Sequence, residues 1–149
     1  MNNIIWTLKA FAELNPFELY QILRLRSEVF VVEQNCIFLD ADDLDAQSLH
    51  LQGRSDGELI AYVRILPPGL CYAEPSIGRV VTSPPSRGTG AGKALMKKAI
   101  EETTAIYPNK SIKIGAQLYL KKFYEGFGFE QCSDIYMEDG IEHIKMLRK

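Results

Sequence analysis

Residues 4–9 read as a first strand, and Asn15-Pro16 follows as a helix start: a capping side chain, then proline at the first helical position. Leu19, Ile22, Leu23, Arg26, Val29 and Phe30 come next at three- and four-residue steps, as one helical face does. The pattern predicts one helix, or two in tandem, to about Gln34, and then an acidic, solvated loop over residues 40–45. Residues 48–52 alternate as a half-buried strand and residues 58–66 form a more apolar one. Ser55-Asp56-Gly57 between them supplies the turn of a hairpin.

Residues 77–82 make a further strand, and residues 84–92 a loop that opens a helix. Leu95, Met96, Ala99, Ile100, Thr103 and Ile106 give that helix its buried side, and Pro108-Asn109 ends it. Residues 111–116 predict a strand and residues 118–127 a short helix, with Gly128 suited to a left-handed cap. Residues 130–137 and 141–147 are the last strands, and Asp139-Gly140 between them is a hairpin signal. The order is β-α-(α)-β-β-β-α-β-α-β-β. It predicts an α/β (α+β) class: one central, mixed, mostly antiparallel sheet flanked by helices, in a single domain over residues 1–149.

Composition narrows the function classes. Apolar residues at 46% and charged residues at 24% argue against a disordered or fibrous chain. Lys+Arg of 17 against Asp+Glu of 19 leaves a net charge of −2, so no global basic field recruits nucleic acid or a membrane surface. No apolar run approaches the ~20 residues of a membrane span. The N-terminus lacks the charged and apolar regions of a signal peptide. Cys36, Cys71 and Cys132 are scattered and odd in number, which reads as reduced thiols, small buried or half-buried fillers, in a cytoplasmic protein. The aspartates at 40, 42, 43 and 45 do not match a calcium loop, because Leu44, Asp45 and Leu51 stand where an oxygen ligand, glycine and glutamate belong. No metal is expected.

The chemical centre is the loop from Arg87 to Gly92. Glycines at 88, 90 and 92 clear the backbone where a helix starts, and a helix start offers orphan N–H groups and a positive dipole end. The pair forms a cradle for phosphate. A P-loop is excluded by Arg87 and Ala94, and the dinucleotide fingerprint by Lys93 and Leu95 at its third glycine. What remains is Arg-x-x-Gly-x-Gly between a strand and a helix.

The stretch Val80-Val81-Thr82-Ser83-Pro84-Pro85-Ser86-Arg87-Gly88-Thr89-Gly90-Ala91-Gly92 resembles the acyl-CoA-binding motif of the GNAT N-acetyltransferases. A second stretch, Gln117 through Phe123-Tyr124 to Gly128-Phe129, resembles that family's second cofactor motif. Gln117 and Leu120 stand where many members have Asn and Ala. Arg26 to Gln34, Ile77 to Val80 and Glu138 to Ile144 are similar to segments of the ElaA-like branch. The resemblance covers nearly the whole chain. It implies acetyl transfer from acetyl-CoA to a primary amine by direct attack in a ternary complex. A CoA-binding sensor or interaction module that has lost turnover is the second reading.

The resemblance also implies roles. Arg87, Gly88, Thr89, Gly90, Ala91, Gly92 and Lys93 would take the pyrophosphate of acetyl-CoA. Val80, Val81 and Thr82 would pair with its pantetheine arm like an added strand, with Gln117, Phe123 and Tyr124 completing the cofactor site. A backbone N–H near Val81 or Thr82 would face the thioester oxygen. Tyr124 corresponds to the family's general acid. For the base, Glu33 and His143 lead over His50 and Glu74, because they lie in the branch-like segments. The acceptor is an amine of a small molecule, peptide or protein. Pairing of the last strands or helix faces is a route to a homodimer.

Overall fold

The structure is a computed structural model, described over residues 3–149; Met1 and Asn2 lie outside the described residues. Strands β1 (Ile5–Ala10), β2 (Leu49–Ser55), β3 (Glu58–Leu66) and β4 (Ser76–Thr82) form an antiparallel sheet in that order. A second sheet is built on β8 (Ile141–Arg148). One edge of β8 pairs with β5 (Ile112–Gln117), the other with the short β6 (Glu130–Gln131) and β7 (Tyr136–Glu138). Helices α1 (Pro16–Arg26), α2 (Ala91–Ile106) and α3 (Lys121–Glu125) flank them. The α/β class and the element order are those expected. The single sheet is not: its ladder is interrupted between β4 and β5.

Alternation along β3 explains the layers. Ala61, Val63 and Ile65 point to a core shared with Leu95, Met96 and Ala99 of α2, with Ile112 and Ile114 of β5, and with Ile144 and Met146 of β8. Tyr62 points the other way, to Ile22 and Leu25 of α1 and to Val29. Helix α1 starts as predicted. Asn15 Oδ1 accepts from the Glu18 N–H at 2.8 Å, and Glu18 Oε1 accepts from the Asn15 N–H at 3.0 Å. Past Arg26 the helix widens over Ser27–Glu33. There Gln34 N–H donates to Val29 C=O and Cys36 N–H to Val31 C=O, in π-type turns.

Two further differences have local causes. The strand predicted over residues 130–137 is broken between β6 and β7, where the four residues 132–135 face only two of β8. Ser133 causes the break: its hydroxyl takes the Lys145 N–H at 2.8 Å, in place of a backbone carbonyl. The helix predicted over residues 118–127 begins as a tighter 3₁₀ turn, Leu118–Leu120, before α3. Gly128 then takes φ +90°.

The split between β4 and β5 begins at a bulge. Lys113 N–H donates to Pro75 C=O at 3.1 Å where the two strands start. Farther along, Gly78 pairs with Arg64 and Val81 with Tyr62, so Arg79 and Val80 together face one residue of β3. Arg79 has φ +52°, a left-handed conformation. A bulge bends its strand and raises its twist, and so turns β4 away from β5.

The acidic run is not a solvated loop. Asp40, Asp42 and Asp45 are matched by Arg26, Arg64 and Arg79. Arg26, 0% exposed, donates from Nε to Asp40 at 2.9 Å and from Nη1 to Asp45 at 2.8 Å. Arg64 forks onto Asp42 at 2.7 and 2.8 Å and reaches Asp45 at 3.0 Å. Arg79 lies 2.9 Å from Asp40 and 3.2 Å from Asp42. Burial works to raise the Asp42 pKa, but the hydrogen bonds and charge of Arg64 and the charge of Arg79 outweigh it and hold the group at about 2. Asp45 is likewise lowered, by Arg26 and Arg64 against its burial. Glu18 is held at about 2 by Asn15, Gln52 and Lys9, again against burial.

A carboxylate whose folded pKa lies below its unfolded value of about 4 stabilises the fold fully above that value and loses the effect as pH falls through the folded value. Urea unfolding followed by Trp6 fluorescence is therefore expected to hold its midpoint from pH 7 to about 5. The midpoint should fall steeply between about pH 4 and 2; an equal midpoint at pH 5 and 2.5 would contradict the network's role.

Candidate active site

The two sheets part into a cavity of about 540 Å³. One wall is β4 from Ile77 to Thr82, and the opposite wall is Ile114, Gly115 and Gln117 of β5. The widened helix adds Val29, Phe30, Glu33 and Gln34, and the β7–β8 hairpin adds Glu138, Asp139, Ile141 and His143. β4 has β3 on one side only, so alternate backbone N–H and C=O groups on its other edge face this space.

At one end lies the glycine loop. Gly88 and Gly90 have φ +79° and +86°, conformations that a side chain disfavours, and a Cβ on Gly88, Gly90 or Gly92 would meet no atom within 4 Å. The loop is thus open above its backbone. Gly90 is the N-cap of α2, and no side chain caps that end, which leaves the first-turn amides of Ala91, Gly92 and Lys93 without a capping acceptor. Thr89 folds back, its hydroxyl donating to Ser86 C=O. Arg87 lines the cavity and grips Glu33 with both guanidinium arms, at 2.8 and 2.5 Å.

Tyr124 stands in the cavity wall, 6% exposed. Burial, and next the nearby Tyr119, push its pKa up to about 12, so the phenol keeps its proton at neutral pH. Phe123 does not line the cavity; it packs edge-on against Tyr124 and Phe127, with ring centroids 5.2 and 5.3 Å away, and fixes the Tyr124 ring from behind. Gln117 donates to Gln34 Oε1 at 3.3 Å, while its own Oε1 is buried with no protein partner. An orphaned acceptor beside the open edge of β4 suits the amide N–H of an extended ligand. The open glycine loop, uncapped helix start, free strand edge and orphaned acceptor together fit the arm and diphosphate of CoA.

His143 pairs across β5–β8 with Gln117. Its Nδ1 lies 2.8 Å from Ile141 C=O, an acceptor only, so Nδ1 carries the proton and Nε2 is the basic nitrogen, 3.4 Å from Glu138. Glu33 sits at the mouth, where hydrogen bonds from Arg87 keep its carboxyl below the usual range.

The model of the acetyltransferase (GNAT) domain family matches residues 39–149. The chain belongs to the GNAT N-acetyltransferases, in their ElaA-like branch. It is 43% identical to protein ElaA of Escherichia coli, over 98% of this chain and 97% of that one. A UPF0039 protein of Synechocystis is 46% identical, over 97% and 94%. A crystal structure of an acyl-CoA N-acyltransferase from Pseudomonas aeruginosa superposes with a TM-score of 0.94 at 40% identity, covering 99% of this chain and 100% of that one.

This GNAT chain places other sequence candidates away from the cavity. His50 is fully buried in the sheet, with Nε2 2.9 Å from Asp45 C=O and Nδ1 2.6 Å from the Tyr62 hydroxyl. The carbonyl fixes the proton on Nε2, and burial, the largest influence, lowers its pKa. It is a neutral spacer under the acidic loop. Glu74 lies in the loop before β4 and does not line the cavity. Of the cysteines, Cys36 is buried and donates to Asp139 C=O at 3.1 Å, whereas Cys71 and Cys132 are exposed rather than fillers. Sequence reasoning missed Gln34, Tyr119 and Phe38 as cavity residues. Gln34 stood at the end of a branch-like segment, which was a usable signal. Replacing His50 with Ala is expected to strand the Tyr62 hydroxyl and the Asp45 carbonyl, at about 1–3 kcal/mol each in urea unfolding, while leaving any pH–rate profile in place. A shifted profile would return His50 to the chemistry.

Proposed function

We infer that the protein transfers an acetyl group from acetyl-CoA to a primary amine within a ternary complex. The observation that carries this reading is the split sheet. One cavity joins an open strand edge and a buried tyrosine and reaches Arg87, the first residue of the glycine loop that runs to Gly90, φ +86°, the uncapped start of α2. Acetyl-CoA, when bound, supplies the acetyl thioester. Arg87 and the amides of residues 88–93 hold its diphosphate, and the free edge of Val80, Val81 and Thr82 pairs with its arm as an added strand. Gln117 Oε1 accepts from the same arm.

The open backbone N–H groups of β4 face the thioester oxygen, where a fixed donor is worth about 3 kcal/mol as charge develops. Tyr124 holds its proton at neutral pH and gives it to the departing sulfur. An alkylamine with a pKa of about 10.4 must first shed a proton, which costs about 4–5 kcal/mol at pH 7. His143 Nε2 takes that proton, and Glu138 beside it stabilises the imidazolium. The three cysteines are unpaired, and the reading includes a cytoplasmic location, a compartment where thiols stay reduced.

Calorimetry tests the cofactor. Wild type is expected to bind acetyl-CoA at micromolar concentration and Gly90→Glu to lose that binding, since the new carboxylate would occupy the cradle. A folded wild type that does not bind would overturn the reading. Tyr124→Phe is expected to bind acetyl-CoA as wild type does and to lose about 10²-fold in turnover of thiol release with an amine acceptor. An unchanged rate would remove Tyr124 from the mechanism.

A further inference from the structure

In the free protein, the residue with the most to offer a diphosphate is already engaged. Arg87 opens the glycine loop, yet both arms of its guanidinium are taken by Glu33, 54 positions away in the chain. A forked carboxylate satisfies the same two N–H directions that a diphosphate would use. Both side chains line the cavity and both are exposed, at 44% and 42%. Glu33 ends the widened helix, whose π-type turns carry it to the mouth alongside Gln34.

We propose that Glu33 is an internal occupant of the diphosphate position: it holds Arg87 in the free protein, gives it up when CoA binds, and is left with its carboxylate released into the cavity. The proposal rests on the acetyl-CoA reading above. Exposure makes the exchange easy, because ion pairs on a surface are weak and yield to a better anion. The released carboxylate would share a cavity with Glu138, Asp139 and His143. The other arginine there, Arg79, is already matched by Asp40 and Asp42. The arrival of CoA thus leaves the Glu33 carboxylate without its arginine, a negative charge free to attract a cationic acceptor. Glu33 is on this view a positioning residue for Arg87 before CoA binds.

The test uses CoA as the probe and has two readouts. In calorimetry, Glu33→Gln is expected to bind CoA about two- to fivefold more tightly than wild type, the size set by a surface pair. Glu28→Gln is the control: Glu28 lies on the same helical segment and is felt by Arg87, but makes no hydrogen bond to it. That variant is expected to stay close to wild type. In the second readout, carbon-detected NMR follows the Glu33 carboxyl through a pH titration. The charged and titratable groups around the pair are Arg87 on the loop, Glu28 on the helix and Tyr119 across the mouth. Saturation with CoA should raise the Glu33 midpoint towards the ordinary carboxylate range. If CoA binds and the midpoint does not move, or if Glu28→Gln matches the gain of Glu33→Gln, the exchange is refuted while the acetyl-CoA reading stands. If neither wild type nor Glu33→Gln binds CoA, both fall together.

Discussion

Arg79 holds a backbone conformation that costs a residue with a Cβ roughly 1–2 kcal/mol, and its guanidinium rests on Asp40 and Asp42. Those two carboxylates also serve Arg26 and Arg64, so one group of three cations and three anions ties together α1, the loop after it, β3 and β4. Each arginine alone would be a poor thing to bury. Together they neutralise one another, and nearly every donor finds an acceptor, which is the condition under which buried charge is tolerated. The bulge in β4 is fixed by this arrangement. The split between the sheets follows from the bulge, and the cavity is the space the split leaves.

The cavity shows how little separate machinery the site needs. An interrupted ladder leaves a strand edge with unmet N–H and C=O groups, which is ordinarily a liability. Here the edge faces inward, across from β5, and its unmet groups become the surface on which an extended ligand can pair. The uncapped start of α2 is a second unmet set, and Gln117 Oε1 a third. The strand edge and Gln117 line one cavity, and Arg87, at the head of the loop that leads to α2, lines it too. A fold that satisfied every backbone group would have no place for the ligand.

The sequence was legible where the signal is local. Asn15-Pro16 marks the start of α1 because cap and proline act over one turn, and Asp139-Gly140 marks its hairpin for the same reason. The two cofactor-like motifs were legible as strings, and the structure brings Arg87, Gln117 and Tyr124 to one cavity. Long-range pairing was not legible. Four aspartates in a row of six residues read equally as solvated charge. Only the fold shows that Arg26, Arg64 and Arg79, spread over 54 positions of chain, converge on three of them. The break at Ser133 depends on a hydroxyl meeting a strand 12 residues away. The left-handed bulge falls on an arginine, where no glycine announces it.

That last point bears on why the position is not glycine. Glycine at 79 would take the same conformation without strain, and the bulge by itself would ask for nothing more. The arginine side chain does a second job. It reaches the Asp40 carbonyl at 3.0 Å and lies with its guanidinium 5.8 Å from the centre of the Phe38 ring. The loop it grips carries Cys36 and Phe38, and both line the cavity beside β4. With glycine the strand would still bend, but the loop would lose the anchor that ties it to the bend. Arginine makes the two walls depend on each other: the residue that opens the sheet also sets the position of what faces the opening.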